Sequence, residues 1–445
     1  MNFSSDITGL TQGFRMVGIL ISRTNFHYGS KKILFFPNEK NIEIYGDEMV
    51  VQLAKPVCCV LAFSLIEASQ VSMAQTDQNF TNFSIDVRSR WETASTDALP
   101  EQADAWTIRM RPSLELKPAK NISIIAEIEA IGALLSDERN GLFSDGLKPA
   151  IPDTEGIELN RAQILWAMND NWSFNLGRQH ISLDDERFIG ISDFRQNQQT
   201  YDAITSSFTH PGGASLDVGY IWQVNRFVGS RQPNGRQNSD SLFFNASIPT
   251  PVGQATLFHY SFSLDRRDDH RSNTTGFRYA GRHFWNQEFG LYWQLGAAKQ
   301  AVADSDPMYA LGAIEFEWRD LTLSGRYERL GSDDGRAFQT PLGTLHKFQG
   351  AADVFTVTPD DGLQDTQLGV TWRLGSFGKL RATSLNATYN VFRSTRQETD
   401  FGEEFGLTLG SSLGGTRLGI AATTYRASNF GTDTSKAWLT FSRRF

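Results

Sequence analysis

Short segments of alternating apolar and polar residues run from residue 83 to the end of the chain, and they constrain the fold more than any other feature. In segment 83–91, for example, apolar residues alternate with Asp86, Arg88 and Arg90. Such alternation predicts β-strands whose two faces meet different surroundings. We count about eighteen predicted strands, at residues 82–94, 104–116, 121–134, 157–168, 171–182, 199–210, 213–225, 239–249, 253–264, 273–285, 287–300, 307–319, 321–331, 364–375, 381–395, 401–413, 415–427 and 434–445.

The connections between the predicted strands alternate between short and long. Turns of a few residues fall after every second strand, and the longer connections fall between them, at 135–156, 183–198, 226–238, 265–272 and 332–363. An even strand count with short periplasmic turns and long extracellular loops is typical of outer-membrane barrels. The sequence therefore predicts an all-β fold, a transmembrane antiparallel up-and-down barrel in the outer membrane of a Gram-negative cell.

The charged faces of the strands decide against the main alternative, a soluble sandwich or propeller. A soluble core would need apolar inward positions, whereas a channel lumen is polar. No uncharged apolar run reaches the roughly 18–20 residues that a membrane helix needs. The arginines that we expect to face inward are Arg88, Arg90, Arg109, Arg111, Arg161, Arg278, Arg282, Arg326, Arg373, Arg393, Arg417 and Arg426.

The residues before the barrel have the features of a secretory signal peptide. A start methionine and one lysine precede a short apolar run that holds both cysteines, Cys58 and Cys59, and Ser72-Met73-Ala74 forms a small-x-small cleavage site. We therefore predict an upstream extension at 1–48, a signal peptide at 49–74 and the barrel at 75–445. The alternative is a cytosolic or linker segment ahead of a membrane anchor.

Two long connections combine arginines, amides and aromatic residues, which are the partners that sugar hydroxyls and carboxylates need. The first lies within 176–203 and the second within 338–365. Loops of this length are usually functional or disordered. We expect these connections and the inward strand arginines to line the substrate path, with the candidates Arg88, Arg109, Arg161, Arg178, Arg187, Arg195, Gln196, Asn197, Gln199, Asp202 and Lys347.

In these two stretches the sequence resembles the alginate export family of outer-membrane barrels, and the resemblance extends over the chain from about residue 80 to Phe445. The matching parts are Gly-Arg-Gln at 177–179, Arg-Gln-Asn at 195–197 with the residues that follow, and Leu-His-Lys-Phe-Gln-Gly at 345–350. The resemblance implies an eighteen-stranded barrel with an arginine-rich constriction that passes a polyuronate outward. It places Arg178, Arg187 and Arg195 in the first motif and Lys347 in the second.

The function that follows is passive diffusion of an anionic polysaccharide or oligosaccharide through an arginine-lined lumen. The alternative is a nutrient-uptake porin for small organic anions or oligosaccharides. The expected partners are the solute, outer-membrane lipid and lipopolysaccharide, and periplasmic export proteins, with no nucleic acid. We expect no cofactor and no metal site, although paired loop carboxylates such as Asp268 and Asp269 leave Ca²⁺ binding open. An enzyme would need a nucleophile beside a histidine; no Gly-x-Ser-x-Gly motif is present, and proximity such as that of Thr209 and His210 in the sequence is unspecific.

Overall fold

The computed structural model describes residues 81–134, 146–265 and 271–445. The predicted extension at 1–48, the predicted signal peptide at 49–74 and the carboxylates Asp268 and Asp269 lie outside these residues. The described part of the chain contains no helix that is long and apolar enough to cross a membrane. It does contain a short 3-10 turn at Leu345–Lys347.

The prediction of an eighteen-stranded antiparallel barrel is confirmed. A further two-residue pair, β14 (Ser332–Asp333) and β15 (Arg336–Ala337), forms a small hairpin in the longest loop. The barrel strands are β1 (Thr81–Thr96), β2 (Ala103–Ala119), β3 (Ile122–Ala133), β4 (Gly156–Ala167), β5 (Trp172–Gln179), β6 (Thr200–Thr209), β7 (Ser215–Asn225), β8 (Arg236–Thr250), β9 (Gly253–Ser263), β10 (Arg271–Phe284), β11 (Phe289–Ala301), β12 (Met308–Trp318), β13 (Leu321–Leu330), β16 (Leu363–Phe377), β17 (Leu380–Arg393), β18 (Asp400–Leu413), β19 (Thr416–Ala427) and β20 (Thr434–Arg444).

The sheet closes on itself because the first strand pairs with the last. Each barrel strand pairs with its neighbours along the chain, and β1 pairs with β20 from Asp86–Arg444 to Thr96–Thr434. Backbone bonds between Ile85 and Phe445 continue this seam beyond the strand. Closure leaves no exposed sheet edge, which is the condition for a β-sheet to span a bilayer.

Alternation along each strand separates an outer apolar face from an inner polar one. Leu114, Leu257 and Leu368 are among the many large apolar side chains exposed on the outside of the barrel. Such a belt is the surface that lipid covers. The prediction that Arg393 and Arg426 face inward is wrong. Each follows a buried inward residue, Phe392 or Tyr425, so its side chain faces outward near the loop end.

The two ends of the barrel have different connections. Turns such as Gly414–Gly415, where both residues have positive φ, join strand pairs at one end. The connections at the other end include 180–199 and 331–362, and both barrel termini lie at the turn end. Glycine adopts positive φ without steric cost, which allows these turns to be tight. The alternation of connection lengths follows the sequence prediction.

Candidate functional site

A loop after β5, residues 180–199, crosses the interior of the barrel; we call it the first bridge loop. On one side it reaches β8, β10 and β11. The side-chain amide of Asn245 donates to Asp184 at 2.8 Å, and Asp185 accepts from Arg278 at 2.5 Å and from Gln294 at 3.0 Å. These contacts hold the acidic part of the loop against the inner wall.

The other part of the first bridge loop lies against β1 and β2. Arg88 donates to the backbone carbonyl of Asp193 at 2.7 Å and to the side-chain oxygen of Gln196 at 2.9 Å. Gln196 in turn donates to the hydroxyl of Thr107 at 2.8 Å. The loop therefore spans the lumen between strands on opposite parts of the barrel wall.

Residues 338–358, in the connection between β13 and β16, form a second bridge loop that is also fixed to the wall. The backbone N–H of Gln339 donates to Gln300 on β11 at 2.9 Å. Farther along, the N–H of Ala351 donates to the carboxylate of Glu404 on β18 at 2.6 Å. The second loop thus crosses from β11 towards β18.

The two bridge loops bond to each other inside the lumen. The N–H of Gly190 donates to the carbonyl of Leu342 at 2.9 Å. Arg187 donates to the hydroxyl of Thr340 at 2.7 Å and forms a 2.7 Å ion pair with Glu328 of β13. We call residues 180–199 and 338–358 together the bridge, because they form one connected layer across the barrel.

A buried cluster of charges joins both bridge loops to the seam of the barrel. Arg195 pairs with Glu92 of β1 at 3.0 Å and with Asp353 of the second loop at 2.8 Å. Asp353 also meets Lys436 of β20 at 2.9 Å and His346 at 2.7 Å. Burial alone would raise the pKa of Asp353, but contacts with His346, Lys436 and Arg195 outweigh it and hold that pKa well below its ordinary value.

Several of the predicted path residues lie within the bridge rather than on an open surface. The side chains of Gln196, Gln199 and Arg187 are 0 %, 1 % and 2 % exposed. Asn197 is buried beside Gly229. Gln199 donates to the carbonyls of Gly190 and Leu342, so it links the two loops. In the structure these residues, together with Arg195, lie inside the bridge and bond its two loops to each other and to the barrel wall.

Other predicted path residues remain accessible from the lumen. The side chain of Arg161 is 22 % exposed and pairs with Glu127, at 2.6 Å. Lys347 is exposed and donates to the backbone carbonyl of Asp185 at 2.9 Å. Arg109, in contrast, is buried against Asp86. Lys347 is therefore the predicted path cation that is exposed and forms no ion pair with a carboxylate among the described residues.

Arg178 and Asp202 were predicted to line the substrate path, but the structure places them elsewhere. The two side chains form a two-bond ion pair, at 2.6 and 2.9 Å, between neighbouring strands. Strand alternation puts Arg178 on the face of Leu176 and opposite Ala162, both of which are exposed outside the barrel. Their register thus assigns this pair to the outer wall near the loop end and not to the constriction.

The carboxylates that anchor the bridge were not among the predicted path residues. Glu92, Glu328 and Glu404 are 1 %, 0 % and 3 % exposed, and each accepts from a bridge residue. All three stand at inward positions towards the loop end of their strands. A carboxylate in that position, on an otherwise regular strand, is the signal that could have identified them.

Below the bridge, towards the turn end, the lumen is open. Thr408, Arg282 and Glu315 occupy inward positions there and are exposed. Small or hydroxyl-bearing residues such as Gly410 and Ser384 share this part of the wall. Inward side chains in this half are therefore reached by water, whereas the bridge lies across the lumen nearer the loop end.

The first bridge loop starts with a histidine that should make the fold sensitive to acid. Burial, reinforced by Arg161, lowers the pKa of His180 from 6.5 to about 4. The unfolded chain binds this proton at a higher pH than the folded chain, so stability is lost as the pH falls from about 6.5 to about 4. We expect a loss of about 2.5 kcal/mol between about pH 7.5 and about pH 4.5 from this group, measured as a fall in the urea unfolding midpoint.

The matched variant for this pH prediction is His180→Gln, which removes the titrating group and keeps a polar side chain. It should show a smaller fall in the urea midpoint over the same pH range than the unmodified chain. An equal fall in both proteins would contradict the assignment to His180.

One histidine–carboxylate pair bears on the enzyme alternative. His346 Nδ1 lies 2.7 Å from Asp353, but its ring stacks on Phe194 inside the bridge. In the described ranges no serine or threonine hydroxyl bonds to His346. His259 does meet the hydroxyl of Thr275, at 2.8 Å, on the outer face of the barrel. Neither histidine combines an orienting carboxylate with a nucleophile, as a catalytic triad requires.

No family model and no curated protein sequence matches the chain, so the alginate export family is not supported by such a match. Solved structures do match. OccK9 (OpdG) of Pseudomonas aeruginosa has a TM-score of 0.64 at 14% identity, over 82% of this chain and 98% of that one. OccAB4 of Acinetobacter baumannii has a TM-score of 0.62 at 13% identity, over 83% and 100%. The outer membrane protein OpdK of P. aeruginosa has a TM-score of 0.60 at 12% identity, over 82% and 98%.

These likenesses establish the fold over almost the whole length of the matched proteins. Together with the apolar outer belt, they locate the chain in the outer membrane of a Gram-negative cell. The chain has the fold of the outer-membrane porins, a closed barrel of eighteen antiparallel strands.

Proposed function

We propose that this chain is an outer-membrane channel for the passive uptake of small organic anions. The observation that carries the proposal is the charge state of the bridge. Lys347 is exposed and bonds to a backbone carbonyl, with no carboxylate within ion-pair distance among the described residues. Among the carboxylates of the first bridge loop, Asp185 is paired with Arg278 and the exposed Asp193 lies within 4.0 Å of Arg88 and Arg109, whereas the exposed Asp184 accepts a hydrogen bond from the neutral Asn245. An uncompensated cation at a constriction favours anions.

The construction of the bridge supports small solutes over polymers. Buried ion pairs at Arg187 and Arg195 fix both loops to the barrel wall and to each other. Breaking such a pair by removing one partner costs about 3–5 kcal/mol. A wide polymer would require the bridge to move, whereas a small anion could pass beside it.

Outward passage of an alginate-like polyuronate is the second candidate. It is favoured by the motif residues in the two bridge loops, including Arg195 and Lys347. Arg195 is 6 % exposed, however, and its guanidinium is taken up by Glu92 and Asp353. For a polymer to use this residue, the buried cluster would have to open.

Solute size separates the two candidates. In liposomes that contain the purified protein, we expect glucuronate to enter faster than glucose, because the two differ mainly in the carboxylate. We also expect long uronate oligomers to be excluded. Uptake would be followed by light scattering, with protein-free liposomes as the control. Entry of long oligomers at a rate near that of glucuronate would support the polymer channel and contradict uptake of small anions.

A further inference from the structure

Two arginines and an amide form a row on the outer face of the barrel, on three neighbouring strands. Arg329 of β13 pairs in register with Gln364 of β16, and Gln364 pairs in register with Arg393 of β17. Each of the three alternates with buried inward residues of its own strand, so all three side chains face outward. Neighbouring strands lie roughly 5 Å apart, so both long arginine side chains can reach one ligand. We call these three residues the cation row.

The cation row stands at the loop end of its strands. Arg329 is the residue before the last of β13, Gln364 is the second of β16, and Arg393 is the last of β17. The Nη1 atom of Arg329 lies beside Gly331, just beyond the end of β13. Its side chain therefore extends towards the loop end. A lipid-facing arginine is costly at the bilayer midplane and costs little at the interface, so this place suits the head-group level.

Below the cation row the same three strands present an apolar surface. Leu368 of β16 is 60 % exposed on the outside, and Leu323 of β13 and Tyr389 of β17 are exposed beside it. Farther towards the turn end, Val370 and Trp372 continue this surface. Cations at the edge of an apolar surface fit an amphiphile whose anionic group lies at the interface and whose chains lie below it.

The polar groups of the cation row are available to such a ligand. Among the described residues, neither Arg329 nor Arg393 forms a hydrogen bond or an ion pair. The side-chain oxygen of Gln364 accepts from the hydroxyl of Tyr327 at 3.4 Å, and its amide N–H groups donate to no described residue. The row therefore offers guanidinium and amide donors side by side and no acceptor that would repel an anion.

Two carboxylates of β18 lie near the cation row but bond to other groups. Asp400 pairs in register with Arg393, yet it accepts from the N–H of Gly402 at 3.1 Å and from the hydroxyl of Ser428 at 3.2 Å. Glu403 accepts from the hydroxyl of Tyr389 on the neighbouring strand. Neither carboxylate forms an ion pair with the row, so both reduce its positive potential without occupying its donors.

From this arrangement we infer that the outer wall at β13, β16 and β17 binds the lipid part of lipopolysaccharide, with a lipid phosphate held between Arg329 and Arg393. Guanidinium binds phosphate through two parallel hydrogen bonds, and basic residues at the interface bind anionic lipid head groups. Long loops mark the extracellular end of such a barrel, and the anionic lipid of that leaflet is lipopolysaccharide. The inference concerns the outer wall and is independent of the solute that the lumen passes.

The test is native mass spectrometry of the purified full chain in a neutral detergent, titrated with diphosphoryl lipid A. EDTA is present, so that divalent cations do not link the lipid to nearby carboxylates. We expect lipid A to bind more tightly than phosphatidylethanolamine, whose head group has no net charge. Replacing both arginines, Arg329→Gln with Arg393→Gln, should weaken lipid A binding by about tenfold or more, because two charge-assisted contacts are lost.

The matched control is Arg381→Gln with Arg417→Gln, which removes two exposed arginines near the turn end and should leave lipid A binding unchanged. Folding is checked in each variant by the heat-dependent shift in electrophoretic mobility that closed barrels show. Equal binding of lipid A by the folded Arg329→Gln, Arg393→Gln variant and the unmodified chain would overturn the site. Equal binding of lipid A and phosphatidylethanolamine by the unmodified chain would also overturn it. Phosphatidylglycerol that binds as tightly as lipid A would overturn the assignment to lipopolysaccharide.

Discussion

Replacing Arg195 by alanine is expected to raise the single-channel conductance and to make the current fluctuate. Arg195 joins Glu92 on the wall to Asp353 in the second bridge loop, and both carboxylates are largely buried. Removing the cation takes one partner from each of these carboxylates, but Arg90 still pairs with Glu92 and Lys436 with Asp353, so the cost to loop docking should stay below about 3–5 kcal/mol, the cost of an unpaired buried charge. Planar-bilayer recording of the purified protein measures the result.

Two controls separate a change in the bridge from a general loss of stability. Arg231→Ala changes an exposed arginine in an outer loop and should leave the current unchanged. Arg195→Lys keeps the charge but loses the forked geometry, so it should give an intermediate effect. A quiet current of unchanged size in folded Arg195→Ala would show that the bridge does not limit conduction.

Reversing the charge of Lys347 is expected to move the reversal potential of the channel towards that of a cation-selective pore. The amine is exposed at the bridge and has no carboxylate partner among the described residues. Lys347→Glu therefore changes the local charge by two units at the constriction. The shift in reversal potential should be larger at about 0.1 M salt than at about 1 M salt, because the Debye screening length falls from about 10 Å to about 3 Å.

Lys379→Glu is the matched control for this prediction, since Lys379 is an exposed lysine in a turn at the far end of the barrel. It makes the same change of charge and should shift the reversal potential much less. Equal shifts in the two variants would mean that the channel senses overall charge and not the charge at the bridge.

The barrel could be predicted from sequence because its strands obey a local rule. A residue pattern of period two appears wherever one face meets lipid and the other meets water, and it needs no knowledge of distant contacts. Strand β5 shows where the rule weakens: the prediction ran to residue 182, but the strand ends at Gln179. The next residues leave the sheet to enter the lumen, and alternation does not report that change of direction.

The interior of the constriction depends on contacts that span the whole sequence. Arg195 meets Glu92 and Asp353, which are 103 and 158 residues away along the chain. Its presence in an arginine-rich loop indicates a functional segment, but its side chain is buried in ion pairs that hold the bridge loops in place. Composition cannot tell an arginine that binds a solute from one that holds a loop. Pairing with a carboxylate separates Arg195 from Lys347, and only the fold reveals it.

The reversal potential of the unmodified channel measures whether the lumen prefers anions, as we propose. The protein would be inserted into a planar bilayer that separates two concentrations of potassium chloride. We expect a reversal potential whose sign reports preferential chloride permeation, and this preference should weaken as the salt concentration rises. A potential of the opposite sign, reporting preferential potassium permeation, would contradict the proposed anion selectivity.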